Sequence, residues 1–216
     1  MSYSLNEIEA LSKKATRGIG LSWGISEEAA KATRWLASHD LPGITLLVDA
    51  LSQNDKVLIS DVAPTSLDGV WQASCGTLCP LVCGPTLNDC AGRLSAGQSI
   101  EMAKVSHPLL VVPFAAWAAI HIDAPVAVSW LDVRVETDGF GVWIEDPNNQ
   151  IETKEPVSLK CVRAAFRDDL AVAPALRGSA DPSSWKALNT FAHRTYAPAT
   201  EESRLLGAGA GVSDND

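Results

Sequence analysis

LLVVPFAAWAAIHI, residues 109–122, is the most apolar run of the chain, and the organisation of the fold follows from it. Its 14 residues fall short of the roughly 20 that a membrane-spanning helix needs. Pro113 interrupts the run, and His121 and Asp123 close it. We therefore predict a buried core segment, in which an aliphatic strand over residues 109–112 leads into a helix that begins near Pro113.

The residues after this run alternate between apolar and polar positions, which is typical of strands. The apolar phase of residues 126–130 flips over residues 131–135, and this flip predicts a β-bulge near Trp130. Asp138-Gly139 predicts a tight hairpin turn, after which GVWIED returns as the partner strand. The alternating stretch VSLKCV, which begins at Val157, predicts one more strand.

Helical patterns fill the N-terminal third of the chain. Ser4 and Glu7 form a capping-box pattern in front of a helix over about residues 5–17. We predict that Ser26 caps a second helix and that a short third helix begins at Ile44.

Two further signals complete the predicted order of elements. VLIS, from Val57, predicts a strand, and Asp181-Pro182 predicts the start of a last helix. Strands in the middle of the chain with helices at both ends favour an α+β fold with a mixed or antiparallel central sheet. We predict a single domain over residues 1–216, with a possible helical subdomain over residues 1–55.

The overall composition limits the class of protein. The chain carries 26 acidic and 17 basic side chains, a net charge of -9, which disfavours nucleic acid as a partner. The start, MSYSLNEIEALSKK, has no basic segment followed by an apolar one, so we expect no secretory signal, no membrane association and a cytoplasmic location. An odd set of five cysteines in a reducing compartment predicts free thiols or metal ligands.

Four of the five cysteines lie in CGTLCPLVCGPTLNDC, residues 75–90. The stretch lacks the Cys-x-x-Cys pairs that are typical of structural zinc sites, although three closely spaced thiolates also suit an iron–sulfur cluster. We predict that Pro85 starts a new helix and that the cysteines serve mainly as small core residues. Cys161, on an alternating strand, is predicted to be a core residue, and no cofactor is assigned.

GLSWG, residues 20–24, matches the Gly-x-Ser-x-Gly pattern of the nucleophile elbow in serine hydrolases. An elbow needs a strand that ends at the serine, whereas a capped helix precedes Ser22. We therefore interpret the stretch as a glycine turn between two helices, with Trp23 filling the gap between them.

The C-terminal stretch contains GAGAG, residues 207–211, whose backbone amides could surround a phosphate or carboxylate. A frayed terminus is the alternative. Leu205 and Leu206 favour an anchored segment, and Arg204 supplies a cation that can pair with an anion.

Three segments together resemble an uncharacterised bacterial family of unknown function and about the same length. They are LNEIEALSKKATRGIGLSWGISEEAAKATRWL, LCPLVCGPTLNDCAG and TYAPATEESRLLGAGAGVSDND. The resemblance spans nearly the whole chain and marks Ser22-Trp23-Gly24 and the Ser203–Asp216 ending as family signatures. It implies no activity, because none is established for the family.

GISEEAAKATRWLASHDLPGI, in the first quarter of the chain, is similar to the opening helices of the malate/lactate dehydrogenase family that lacks a Rossmann fold. In that family the segment matching residues 40–44 leads into Ser-His-Gly, whose histidine is the catalytic acid. Thr45, Leu46 and Leu47 follow here instead, so the proton donor is missing and hydride transfer does not carry over.

The sequence thus predicts a cytoplasmic protein that binds or transforms a small anionic metabolite between the Ser22 turn and the C-terminal glycines. No catalytic residue is assigned. The predicted ligand-binding residues are Ser22, Trp23, Ser203, Arg204, Gly207, Gly209, Gly211 and Asp214. The alternative is a non-catalytic, homo-oligomeric accessory or interaction protein, whose tryptophans serve packing and an interface.

Overall fold

The computed structural model describes residues 1–167, 169 and 171–196. Within these residues, helices and strands form the predicted α+β fold. The helices are α1 (Leu5–Gly18), α2 (Trp23–Ser38), α3 (Gly43–Gln53), α4 (Ile59–Val62), α5 (Pro80–Asp89), α6 (Ala91–Ser95), α7 (Val112–Ile122) and α8 (Pro182–His193). The strands are β1 (Ser2–Ser4), β2 (Val70–Trp71), β3 (Ile100–Val105), β4 (Val126–Trp130), β5 (Val133–Thr137), β6 (Val142–Glu145), β7 (Val157–Arg163) and β8 (Arg177–Ser179).

The central sheet is mixed, with six strands in the order β2-β3-β7-β4-β5-β6. Only the β2–β3 pair is parallel among these described strands, and the other neighbours are antiparallel. A separate antiparallel pair, β1–β8, joins Ser2 to Ser179 and Ser4 to Arg177. This small pair ties the strand in front of α1 to the strand in front of α8.

The apolar run becomes the buried helix α7, which packs against α5, β4 and β5. The predicted helix near Pro113 is therefore confirmed, but the predicted strand over residues 109–112 is wrong. His107 has left-handed backbone angles, φ 49° and ψ 56°, and Pro108–Val111 forms a 3₁₀ turn. Because Pro108 cannot donate to a strand ladder, the chain turns directly into the helix. Among the described helices, none is both long and apolar enough to cross a membrane.

The change of phase near Trp130 comes from a turn, so the predicted bulge is wrong. Trp130 pairs with Val133, and Leu131 adopts a φ of 47° in the two-residue connection between β4 and β5. The Asp138-Gly139 hairpin is confirmed, because Thr137 pairs with Val142 across it. VSLKCV is likewise confirmed as strand β7.

The capping box of α1 is confirmed: the Glu7 amide donates to Ser4 Oγ, and the Ser4 amide donates to the Glu7 carboxylate. The cap of α2 is Ser22, whose Oγ accepts from the Ile25 amide at 3.4 Å. The predicted cap, Ser26, is instead a buried residue of the first turns. Helix α2 begins at Trp23 and includes Gly24 in its first turn.

Two other predicted boundaries are wrong for local reasons. VLIS is not a strand, because Ile59–Val62 forms a single helical turn. Pro85 does not start a helix but lies inside α5, which begins at Pro80. Pro80 occupies the first helical position, where its missing amide removes no hydrogen bond. Because Gly84 has no side chain, the Phe114 ring can lie close to the backbone of α5, and α5 and α7 pack together.

Helix α1 packs against both α2 and α8, and α1 and α2 also contact the small β1–β8 pair. Helix α1 turns Ile8 and Ala15 inward, and α8 turns Leu188 and Ala192 inward. At the far end Gly18 lies directly against the backbone carbonyl of Phe191, where a Cβ atom would clash. The C-terminal ends of α1 and α8 and the N-terminal end of α2 therefore meet in one place.

Candidate functional site

An open hollow of about 650 Å³ lies where α1 and α8 end and α2 begins. Four basic side chains and two aromatic rings line it, together with Ala10 and Thr195. The basic residues are Lys13, Lys14, Arg17 and Arg194, and the rings belong to Trp23 and Tyr196. We call this feature the basic hollow.

The basic side of the hollow follows from the spacing along α1. Ala10, Lys13, Lys14 and Arg17 are separated by three, one and three residues, which places all four on one face of a helix. The opposite face carries the buried residues that pack into the core. One amphipathic helix thus supplies both a core stripe and three cations.

The aromatic rings hold these cations in position. The Arg17 guanidinium carbon lies 4.7 Å, and Lys13 Nζ 5.3 Å, from the centre of the Trp23 ring. Lys14 Nζ lies 5.5 Å from the centre of the Tyr196 ring. Cation–π contacts of this kind stabilise exposed pairs by about 0.5–1 kcal/mol. The rings therefore limit how far the cations swing away from the hollow.

Trp23 does not fill the gap between the helices, as the sequence predicted. Its side chain is 63% exposed, whereas the chain itself turns at Gly20, which has a φ of 100°. The prediction of a glycine turn is confirmed and the nucleophile elbow is not formed, because α1 rather than a strand precedes Ser22. Ser22 Oγ is occupied as the cap of α2.

Two of the four cations are neutralised by carboxylates outside the lining. Lys13 Nζ lies 2.6 Å from Glu27, and Arg194 Nη1 lies 2.7 Å from Asp55. The hydrogen bond from Lys13 lowers the pKa of Glu27, and the hydrogen bond from Arg194 lowers the pKa of Asp55. Both carboxylates are therefore ionised at neutral pH.

The other two cations have no carboxylate partner among the described residues. Arg17 Nη1 donates to the backbone carbonyl of Leu21, a neutral acceptor, and Lys14 forms no salt bridge within the described part of the chain. No acidic residue lines the described hollow. The hollow is thus locally positive in a protein whose net charge is -9.

The predicted site residues fall into two groups. Trp23 lines the hollow, and Ser22 precedes it as the helix cap. The remaining predicted residues lie outside the described residues: Ser203, Arg204, Gly207, Gly209, Gly211 and Asp214. Sequence reasoning missed the basic residues of α1, although their one-face spacing was readable in the stretch from Ala10 to Arg17. Arg194 and Tyr196 could not be found, because only the packing of α8 on α1 brings them there.

The cysteines lie elsewhere, and all five are free thiols. Cys79, Cys83 and Cys161 are buried, which confirms Cys161 as a core residue. Burial raises the pKa of Cys79 and of Cys161 to about 12, and it raises the pKa of Cys83 as well. Such thiols stay protonated and are poor nucleophiles. The described residues contain no group of three or more His, Cys, Asp or Glu side chains placed to hold a metal ion.

The first third of the chain matches a known protein family model. Residues 3–79 match the family model described as "Protein of unknown function (DUF3726)". This match confirms the predicted likeness to a family of unknown function, and it includes the Ser22-Trp23-Gly24 turn.

No curated protein sequence matches the chain. Among solved structures, malate dehydrogenase from Entamoeba histolytica is similar to it at 12% sequence identity and a TM-score of 0.45. The similarity covers 78% of this chain and 50% of that enzyme, so the chain spans about half of its length.

Proposed function

We propose that the protein binds a small anionic metabolite in the basic hollow. The observation that supports this proposal is the lining itself: four basic side chains and two aromatic rings without an acidic residue among the described ones. Pockets that bind small molecules typically combine an apolar surface with a few convergent polar groups.

The charge distribution favours an anion here over other places on the surface. The average surface of a chain with a net charge of -9 repels anions, whereas the hollow concentrates cations from two helices. The N-terminal end of α2 adds a partial positive charge beside Trp23, whereas the C-terminal ends of α1 and α8 add partial negative charges beside Arg17 and Arg194. The helix dipoles therefore do not favour an anion on balance, and the proposal depends on the charged side chains.

The C-terminal residues remain part of the proposal. Tyr196 lines the hollow, and the chain continues from it into the segment with Arg204 and the glycines at 207, 209 and 211. Backbone amides and a guanidinium are suitable partners for a carboxylate or phosphate. We propose that this segment supplies the second side of the binding site, with Ser22 and Trp23 on the first.

A thermal-shift screen of anionic metabolites at low salt tests the proposal. A ligand that binds the native state must raise the melting temperature, and the rise should be lost in the Lys14→Gln, Arg17→Gln double variant. Lys186→Gln is the matched control, because Lys186 is an exposed lysine of α8 outside the lining. A rise that persists in the double variant, or no rise with any anion, refutes the site.

A second arm of the same screen uses a chain truncated after Tyr196. The truncated protein should bind the same anion more weakly, because it lacks Arg204 and the glycine amides. If the truncated protein binds the anion with unchanged affinity, the C-terminal residues are not part of the site, and the residues of the basic hollow are sufficient for binding.

Self-association is the second candidate function, and an exposed apolar pair favours it. Phe140 is 70% exposed and Ile120 is 48% exposed, and the turn at Gly139 packs directly against Ile120. Adjacent exposed apolar side chains are a feature of protein interfaces. We propose that this patch contributes to a homo-oligomer. A cytoplasmic location, a proposal as well, agrees with the five free thiols.

A further inference from the structure

The charges of the basic hollow define what kind of anion it suits. Of its four cations, Lys13 and Arg194 are paired with Glu27 and Asp55. Lys14 and Arg17 have no carboxylate partner among the residues that the structure describes. The described hollow therefore presents two positive charges that are not neutralised.

Both of these cations are oriented before any ligand arrives. The Arg17 guanidinium is held by the Leu21 carbonyl and by the Trp23 ring, and only one of its nitrogens donates to that carbonyl. The remaining N–H groups of a guanidinium fork suit two oxygens of one carboxylate or phosphate. Lys14, three residues before Arg17 on α1, lies over the Tyr196 ring and supplies a second anchor.

The lining also contains apolar surface that a purely polar ligand leaves uncovered. The Trp23 and Tyr196 side chains are both more than half exposed. Covering exposed aromatic surface is favourable at about 25 cal/mol per Å² of apolar area removed from water. A flat ring can cover these side chains while its anionic groups reach the cations.

We infer that the ligand is an aromatic dianion, meaning a planar ring that carries two carboxylates or one fully ionised phosphate. This inference rests on the proposed function and narrows it. A monoanion leaves one of the two cations without a partner, and a non-aromatic dianion leaves the exposed rings uncovered.

Isothermal titration calorimetry of the full chain with phthalate, benzoate and succinate tests the inference. At about pH 7.5 and low salt, all carboxylates of these probes are ionised. Phthalate should bind about tenfold more tightly than benzoate, the ratio expected for one added charge-assisted contact. It should also bind more tightly than succinate, which has the same charge without the ring.

Variants assign each preference to a side chain. Lys14→Gln and Arg17→Gln should each bring the phthalate-to-benzoate ratio close to one, while Lys186→Gln leaves it unchanged. Trp23→Leu should reduce the preference for phthalate over succinate, and it should weaken the binding of all three anions because Trp23 also holds Arg17. Circular dichroism and the melting temperature of each variant show whether it is folded.

The outcomes separate the inference from the proposed function. Equal binding of benzoate and phthalate, or a ratio unaffected by Lys14→Gln and Arg17→Gln, overturns the inference. So does the absence of binding by phthalate while other anions raise the melting temperature, and in these cases the hollow still binds anions. If no anion of any kind binds, the proposed function itself fails.

Discussion

His107 combines a strained backbone with a buried ring. Its φ of 49° is uncommon for a residue with a side chain, and the residue is only 3% exposed. Its Nδ1 has no hydrogen-bond partner within the described residues. Burial lowers the pKa of His107, and this effect outweighs the neighbouring carboxylate of Asp49, which raises it.

This lowered pKa predicts a loss of stability in mild acid. In the unfolded chain the His107 imidazole takes up a proton at the ordinary histidine pKa of about 6.5, whereas in the folded protein it takes up this proton only at lower pH. The free energy of unfolding should therefore fall as the pH decreases from about 6.5 and level off below the folded pKa. Urea denaturation at a series of pH values measures this slope.

The His107→Asn variant identifies the source of the slope. Asparagine tolerates a left-handed backbone but does not titrate, so the variant should lose the His107 contribution to the pH dependence while keeping the fold. Identical slopes in the two proteins would mean that other groups cause the acid sensitivity.

At the scale of the elements, the contact between α1 and α8 creates the basic hollow. Gly18 lies so close to the Phe191 carbonyl that a side chain would push the two helices apart. Gly18→Ala should lower the free energy of unfolding by about 1–3 kcal/mol, the usual cost of overpacking. It should also weaken anion binding, because Arg17 and Arg194 would separate.

Gly24→Ala is the matched control for this change. Gly24 lies in α2, and no atom of another described segment lies within 4 Å of the position that its Cβ would take. Replacing it should therefore be neutral or stabilise the helix by up to about 1 kcal/mol. Denaturation curves and anion titrations of the two variants measure what the contact between α1 and α8 contributes to stability and to binding. Equal stabilities of the two variants would contradict the close approach of Gly18 to Phe191.

Local chemistry explains which elements were predictable. The capping box at Ser4, the Asp138-Gly139 turn and the Asp181-Pro182 start each depend on neighbouring residues, and all three were confirmed. The start of α2 was misplaced because two serines both suit a cap, and the wrong serine precedes two glutamates. The 3₁₀ turn before α7 was missed because an apolar run has the same pattern in a buried strand and a buried helix.

At the scale of the whole molecule, the part of the basic hollow that depends on tertiary contacts could not be predicted from the sequence. The one-face spacing on α1 was readable, but nothing local connects Lys14 with Tyr196, which is 182 residues away. The net charge of -9 correctly describes the whole chain and conceals a locally positive hollow. An average over the surface carries no information about a concentration of charge at one place.

The exposed pair of Phe140 and Ile120 leads to a prediction about assembly. If it forms an interface, sedimentation velocity should show an oligomer, and Phe140→Ser should shift it towards the monomer because apolar burial is lost. Leu176→Ser is the control, since Leu176 is 90% exposed and belongs to another segment. A monomer at every concentration, or equal effects of the two changes, would exclude this patch as an interface.

The pairing of β1 with β8 also bears on how the protein is made. Ser2 meets Ser179 across this pair, so β1 has no partner until a stretch about 177 residues further along the chain has been made. Contacts between such distant parts of a chain form slowly, since a long loop must close first. During synthesis the apolar stripe of α1 therefore lacks its α8 partner and is open to chaperones or to aggregation. Anion binding at the hollow would accordingly begin only after α8 has packed against α1.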